Sequence, residues 1–198
     1  EIDKWTSVKG EPHIIKRLHV GETYILREEF APYGYLKAEE VEFTITDTAE
    51  IQKVEMKDDV PIGRIIINKK GEFLSEVSWN DMVAGAMDSI WGYVTGSLKD
   101  VTFEIYARED IKAADGESDD YYKKDELVAT IKTDELGIAR TDDLPLGKYY
   151  VVEKETADGF VLDGEPRDID LTYRDQDTPV VTFDSEWQNS RQKAKVIV

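Results

Sequence analysis

Three polar residues of this sequence lie at the ends of strand-like segments, in phase with apolar residues at every second position. They are Lys69 in GRIIINK, Glu153 in YYVVE and Asn189 in VVTFDSEWQN. Because alternate residues of a strand point to the same face, each of the three is expected to point into a core. A buried charge costs roughly several kcal/mol unless it is paired or neutralised. The three residues therefore need a common explanation.

Such a trio has the parts to form an amide bond within the chain. Burial favours the neutral forms of both an amine and a carboxyl group. A neutral Lys69 amine could attack the side-chain carbonyl carbon of Asn189 and release ammonia, while Glu153 shuttles protons as a general acid–base group. Folding would hold the partners together and so supply the proximity that the reaction needs.

A second, shorter set of residues repeats this pattern near the start of the chain. Glu28 closes the apolar row of YILRE, and Asp58 is in phase with the apolar residues of QKVEMKDD. We expect both carboxylates to point inward. Glu28 would then correspond to Glu153, and Asp58 to Asn189. With an aspartate as the acceptor, the leaving group would be water instead of ammonia.

Each residue also has an ordinary structural explanation when it is taken alone. A lysine at a strand end is commonly solvated, a glutamate or aspartate can protect a strand edge against aggregation, and an asparagine is often a turn residue. The combination and its partial repetition favour the buried trio. Lys70 is the runner-up for Lys69, although its parity points outward.

The elements that must position these residues are mostly strands. Short alternating segments recur along the chain, and Asp-Gly and Pro-Leu-Gly turn signals separate them. The segment 52–59, which carries Asp58, is one of these predicted strands. Many short strands with regular turns are typical of a β-sandwich, so the fold class is predicted to be all-β.

One segment departs from the strand pattern. In SWNDMVAGAMDSIWGYV, residues 78–94, apolar residues recur at helical spacing. Ser78 with Asp81 also resembles a capping box. These features predict a short helical insert at about residues 76–96 of the second domain.

An internal repeat predicts the number of domains. The phrase L-x-x-G-x-(x)-Y-x-[LV]-x-E, followed by a glycine and an aromatic residue, occurs at Leu18–Tyr35 and at Leu144–Phe160. The first copy has too few residues before it for the strands that precede the second. We therefore expect a partial domain at 1–60, which lacks its N-terminal strands, and a complete domain at 61–198, in a segment of a longer tandem array.

The composition excludes several classes of function. The net charge of −18 disfavours nucleic acid and anionic membrane surfaces as partners. The sequence has no cysteine, so disulfides and thiolate metal sites are excluded, and its two histidines are few for a catalytic or metal site. No apolar run is long enough to span a membrane. No cofactor or metal is expected, although weak calcium binding by the acidic loop at 108–127 stays open.

The two repeated phrases resemble a known family. LHVGETYILREEFAPYGYLKAEEVEFTI and LPLGKYYVVEKETADGFVLD are similar to the signature of Cna protein B-type domains. These are prealbumin-like β-sandwiches, of an immunoglobulin-like kind, in surface proteins and pilins of Gram-positive bacteria. GRIIINK resembles their first strand, which carries a reactive lysine, while VEMKDD and WQNSRQ resemble their last strand, which carries a reactive Asp or Asn.

This resemblance implies a site and a role. Lys69 and Asn189 would form an intramolecular isopeptide bond with Glu153 as the catalytic residue, and Glu28 and Asp58 would be two members of a first-domain triad. The lysine of that first triad is not in this sequence, so missing strands or another chain would supply it. The implied role is a stalk or adhesin segment at the bacterial cell surface, anchored to the cell wall through other regions. Its partners would be neighbouring domains of the same protein. Bond formation happens once per molecule, so the protein is not predicted to be an enzyme.

Two alternatives remain at this point. The chain could be a ligand-binding adhesin module that recognises a host or matrix ligand through Trp79, Trp91 and Tyr93 on the insert, or through the acidic loop. It could also be an accessory domain or a hydrolase that uses paired carboxylates. Exposed aromatic rings on the insert would favour the adhesin module, and a cleft with two close carboxylates and no lysine would favour the hydrolase.

Overall fold

The computed structural model describes residues 1–79 and 89–194, and within them the chain forms strands and no helix. In chain order the strands are β1 (Thr23–Leu26), β2 (Val41–Thr44), β3 (Ile62–Trp79), β4 (Ser89–Ser97), β5 (Thr102–Ala107), β6 (Leu127–Lys132), β7 (Ile138–Arg140), β8 (Leu144–Pro145), β9 (Gly147–Glu155), β10 (Arg167–Leu171) and β11 (Val180–Asn189). The all-β prediction is confirmed.

Nine of these strands, β3 to β11, form the two sheets of a sandwich. One sheet has the order β11-β3-β4, with the short strands β7 and β8 also paired to β3. The other has the order β10-β9-β5-β6. The pairs are antiparallel except for β11 and β3, which run parallel. The first and last strands of the sandwich are therefore direct neighbours.

The core lies between the inner faces of the two sheets. Alternate residues of β5 are buried, as the period of two requires. The same alternation occurs along the middle of β9 and in the first half of β3. The largest fully buried side chains include Tyr149, Phe103, Ile65 and Ile67, and Lys69 is among them. The inward parity that the sequence predicts for β3 and β9 is therefore present.

The helical insert is wrong wherever the structure describes it. Residues 76–79 belong to β3 and residues 89–96 to β4, and the two strands pair antiparallel from Lys70–Ser97 to Trp79–Ser89, with a bulge between Leu74 and Glu76. Of the apolar residues at helical spacing, Trp79 lies on one arm of a β-ribbon and Ile90 and Val94 lie on the other, so cross-strand pairing replaces a helical face there. Residues 80–88 of the predicted helix lie outside the described residues.

The N-terminal residues form a smaller sheet. β1 and β2 pair antiparallel as a two-stranded sheet, from Thr23–Thr44 to Leu26–Val41. The strand predicted at 52–59 is wrong, because residues 51–61 form no strand. A strand needs a partner for its ladder of hydrogen bonds, and this sheet does not extend to that segment. Tyr33 nevertheless packs edge-on against Tyr173 of the sandwich, with ring centroids 4.8 Å apart.

Candidate functional site

The candidate site lies between the sheets at one end of the sandwich, and both sheets contribute to it. Lys69 on β3 lies opposite Trp187 of β11, and Asn189 lies two residues further along β11. Glu153 comes from β9 of the facing sheet, where it pairs with Phe103 of β5. The parallel pairing thus brings together a lysine and an asparagine that are far apart in sequence.

All three polar side chains are withdrawn from solvent. The exposed fraction is 0% for Lys69, 2% for Glu153 and 2% for Asn189. Lys69 Nζ lies 2.6 Å from Glu153 Oε2. The side-chain amide of Asn189 donates to the other carboxylate oxygen, Oε1. The Glu153 carboxylate therefore bridges the amine and the amide, as the predicted chemistry requires.

The amide of Asn189 has a second partner that strand parity does not predict. Its Nδ2 also donates to Thr156 Oγ1, at 2.8 Å. Its Oδ1 is buried and has no hydrogen-bond partner among the described residues. Thr156 follows the end of β9, three residues after Glu153, and only that short spacing in the sequence hints that it reaches the same site.

The surroundings favour the neutral amine of Lys69. Burial, the largest effect, lowers the pKa of this lysine below its ordinary value of 10.5. The hydrogen bond and charge of Glu153 act in the opposite direction and are outweighed. The nearby Asp163 raises the pKa and Arg167 lowers it, each by a smaller amount. A neutral amine is the form that can act as a nucleophile.

Aromatic rings enclose the site and exclude water from it. Lys69 Nζ lies 5.6 Å from the centroid of the Phe103 ring. Phe103 packs edge-on against Trp187, with centroids 5.4 Å apart. Arg167 covers the Trp187 ring at 4.5 Å and pairs with Asp163. This apolar wall strengthens the electrostatic interactions among the three polar groups.

Two glycines allow the close packing around Lys69 and Asn189. Gly71 lies opposite Asn189, and a Cβ there would approach Phe160 Cε1 to 2.5 Å. Gly137 has a φ of +74°, and a Cβ there would lie 2.5 Å from the carbonyl oxygen of Lys69. The Gly137 carbonyl accepts a hydrogen bond from the Lys69 backbone amide at 2.7 Å. The backbone of β3 is therefore held tightly where the lysine projects inward.

Lys70, the runner-up lysine, does not reach the site. It is half-exposed, in contrast to the fully buried Lys69. Its position on the opposite face of β3 follows from the strand period of two.

The structure also brings the two N-terminal carboxylates together. Glu28 and Asp58 are both half-buried. Burial raises the pKa of Asp58, and the charge and hydrogen bond of the neighbouring Glu28 raise it further. Glu28 Oε2 accepts a hydrogen bond from the backbone amide of Ala38 at 2.8 Å. Within residues 1–79 and 89–194, neither carboxylate takes part in an ion pair.

The acidic loop is held by its own side chains and by the core. Ile111 and Ala113 are buried. The Asp115 carboxylate accepts hydrogen bonds from the amide and hydroxyl of Ser118 and from the amide of Glu117, which lowers the pKa of Asp115 to about 2. Among the described residues, no three carboxylate, histidine or cysteine side chains gather in a group that could hold a metal ion.

The aromatic residues proposed for ligand binding lie on the β-ribbon and not on a helix. The Tyr93 side chain is 43% exposed, and Lys193 Nζ lies 5.2 Å from its ring centroid. The side chains of Trp79 and Trp91 lie outside what the structure describes. The described part of the chain contains no helix long and apolar enough to cross a membrane.

Comparison with known proteins shows the family. The model of the SpaA prealbumin-like fold domain matches residues 1–60 and 93–187. No curated protein matches the chain.

Several solved structures are similar to this chain. The Bacillus anthracis TIE protein is 21% identical over 86% of this chain and 25% of its own, with a TM-score of 0.51. GBS52, the minor pilin of Streptococcus agalactiae, is 14% identical over 93% of this chain and 66% of its own, with a TM-score of 0.43. The Corynebacterium diphtheriae major pilin SpaA is 18% identical over 66% and 31%, with a TM-score of 0.40.

The chain thus spans a quarter of the TIE structure and about two thirds of the GBS52 structure. The likeness to the TIE protein agrees with the sandwich described above, and the match to the family covers both the N-terminal sheet and most of the sandwich. By this match the chain belongs to the SpaA prealbumin-like fold domain family.

Proposed function

We propose that this chain is a structural segment of a Gram-positive pilus or surface adhesin, and that an amide bond between Lys69 and Asn189 locks its sandwich. The observation that carries the proposal is the buried carboxylate of Glu153, which contacts the amine of Lys69 at 2.6 Å and the amide of Asn189. The structural role rests on the family match, and solved pilins are among the structures similar to this chain.

The bond forms by attack of the neutral Lys69 amine on Cγ of Asn189. The Glu153 carboxyl group donates a hydrogen bond to the amide oxygen as the tetrahedral intermediate forms. Its Oε2 then takes the proton that the amine loses, while its Oε1 gives its own proton to the amide nitrogen. Ammonia leaves, Glu153 is again a carboxyl group, and an amide joins Nζ to Cγ. Folding aligns the partners, so the reaction happens once per molecule and turns over no substrate.

The bond would stabilise the domain by restricting the unfolded chain. It joins the first and last strands of the sandwich and closes a loop from residue 69 to residue 189. By the chain-entropy argument for disulfides, a loop longer than about 100 residues is worth about 4–5 kcal/mol. Unlike a disulfide, an amide cannot be reduced, which suits the proposed position of the protein outside the cell.

The N-terminal residues would belong to a separate domain of the same type. The proposed boundary falls between residues 60 and 61, because β1 and β2 lie before it and the strands of the sandwich lie after it. Glu28 and Asp58 would there form two members of a second triad. Neighbouring domains of the same surface protein are therefore the proposed partners.

The mass of the intact folded protein tests the proposal. Wild-type protein should weigh less than its sequence predicts by the mass of one ammonia. Lys69→Ala and Glu153→Ala should restore the full mass, whereas the matched control Lys70→Ala should keep the loss. A folded wild-type protein with the unshifted mass would overturn the proposed bond.

A further inference from the structure

Thr156 is a polar group of the site that the reaction described above does not use. Its Oγ1 lies 2.8 Å from Asn189 Nδ2, the nitrogen that would leave as ammonia. It lies just beyond β9, the strand that carries Glu153, so both groups approach the amide from the same sheet. The Nδ2 group of Asn189 therefore donates to two acceptors, Glu153 Oε1 and Thr156 Oγ1.

The other end of the same amide is unsatisfied. Asn189 Oδ1 is buried without a partner among the described residues, while both hydrogens of Nδ2 have acceptors. A half-turn of the amide about its Cβ–Cγ bond exchanges the two atoms and places Oδ1 between Glu153 and Thr156.

In that exchanged orientation both neighbours can donate to the oxygen. The Thr156 hydroxyl can rotate to donate, since a hydroxyl group serves as donor or acceptor. Glu153 can donate from Oε1 once it is protonated, while its Oε2 accepts from the neutral amine of Lys69. Two donors at the oxygen that gains negative charge are the arrangement of an oxyanion hole.

We propose that Thr156 is a catalytic residue of bond formation, whose hydroxyl donates a hydrogen bond to Asn189 Oδ1 and stabilises the negative charge that develops there as Lys69 attacks. This inference rests on the proposed function of the site. The hydroxyl keeps its own proton throughout. Glu153 carries every proton that moves, so the products are still one amide and one ammonia.

The rate of bond formation tests the role of Thr156. Newly made protein would be sampled over time during cell-free synthesis, quenched in acidic denaturant and weighed. Thr156→Val keeps the side-chain shape and removes the donor, so it should slow the loss of ammonia roughly 10²-fold, the scale of one lost oxyanion donor. Thr156→Ser should restore the rate. Thr182→Val, on the exposed face of β11, is the matched control and should react as the wild type does.

The stability of unreactive variants separates catalysis from folding. Lys69→Met cannot form the bond, so its unfolding with and without Thr156→Val shows what the hydroxyl contributes to the fold alone. A Thr156→Val protein that folds and reacts at the wild-type rate would overturn the role of Thr156 and leave the bond in place. A wild-type protein that never loses ammonia would overturn the proposed function instead.

Discussion

Lys69 Nζ and Glu153 Oε2 lie 2.6 Å apart in a core where neither side chain is more than 1% exposed, and the two residues come from facing sheets. An ion pair so deeply buried is a poor stabilising device, because desolvation offsets most of the attraction between the charges. The same contact is well suited to moving a proton from the amine to the carboxylate. The pair is therefore better explained by a reaction than by stability.

Replacing the pair by apolar residues should distinguish these explanations. For an unreacted ion pair, a change such as Lys69→Met with Glu153→Leu is neutral or stabilises by about 1–4 kcal/mol. If the pair serves to form the bond, the double variant loses a cross-link and should be destabilised by about 4–5 kcal/mol. Urea denaturation measures the difference, and a variant as stable as the wild type would contradict the cross-link.

The pH dependence of stability should report the lysine when the bond is blocked. Asn189→Ala keeps the pair and prevents the reaction. Because burial lowers the pKa of Lys69 below 10.5, the unfolded chain holds more protons at this site than the folded chain does in the window between the two values. The free energy of unfolding should therefore rise with pH through that window.

The control for this pH effect is the variant that combines Lys69→Met with Asn189→Ala. It should lack the part of the rise that Lys69 causes, when urea midpoints are compared from about pH 7 to about pH 10. Equal slopes in the two variants would show that the lysine does not titrate differently in the folded state.

The absence of a side chain at Gly71 should be necessary for the packing around Asn189. A Cβ in Gly71→Ala would lie 2.5 Å from Phe160 Cε1 and 3.3 Å from Leu98 Cδ1, so the aromatic ring must move. Overpacking of this kind costs about 1–3 kcal/mol, and it should also slow bond formation because Asn189 lies directly opposite. Gly164→Ala is the control, since a Cβ there would lie 4.0 Å from its nearest neighbour, the carbonyl oxygen of Glu153. Thermal unfolding and intact mass would show no difference between the two if the packing argument is wrong.

The carboxylate pair of Glu28 and Asp58 should make the stability of the structure around it depend on pH. The pKa of Asp58 is raised in the folded state by burial and by Glu28. The folded chain therefore holds more protons here than the unfolded chain above pH 3.8, and stability should fall as the pH rises through the raised pKa.

Hydrogen exchange of two nearby amides can measure this effect. Leu36 donates its backbone amide to the Asp59 carbonyl at 2.7 Å, and Ala38 donates to Glu28. Asp58→Asn should increase the protection of both amides against exchange at neutral pH. It should also remove the decrease in protection that the wild type shows between acid and neutral pH. Asp47→Asn, on an exposed bend, should change neither. Unchanged protection in Asp58→Asn would argue against repulsion between Asp58 and Glu28.

Strand parity was sufficient to predict the inward direction of Lys69, Glu153 and Asn189, because a period of two fixes the face of every residue in a regular strand. Parity does not determine which strands are neighbours. That β11 lies parallel to β3, with Asn189 opposite Gly71, is a result of the tertiary fold. Thr156 was missed for a related reason, since it lies beyond the end of β9, where the period no longer applies.

The incorrect predictions also have physical causes. The spacing of Trp79, Ile90 and Val94 fits a helix, yet it is equally compatible with two strand arms that pair through their backbones. The segment 52–59 has a clear alternation, and Met56 and Asp58 are indeed less exposed than their neighbours. Its backbone forms no ladder, because a period of two describes the side chains and cannot supply a partner strand.

The parallel pairing of β3 and β11 determines how the domain would carry tension. Force that enters before Ile62 and leaves after Asn189 pulls these two neighbouring strands lengthwise past each other, so their ladder is loaded in shear and its hydrogen bonds must fail together. With the proposed amide bond in place, the load passes from Asn189 directly into Lys69. The chain between these two residues would then bear no force, and the domain would transmit tension without lengthening.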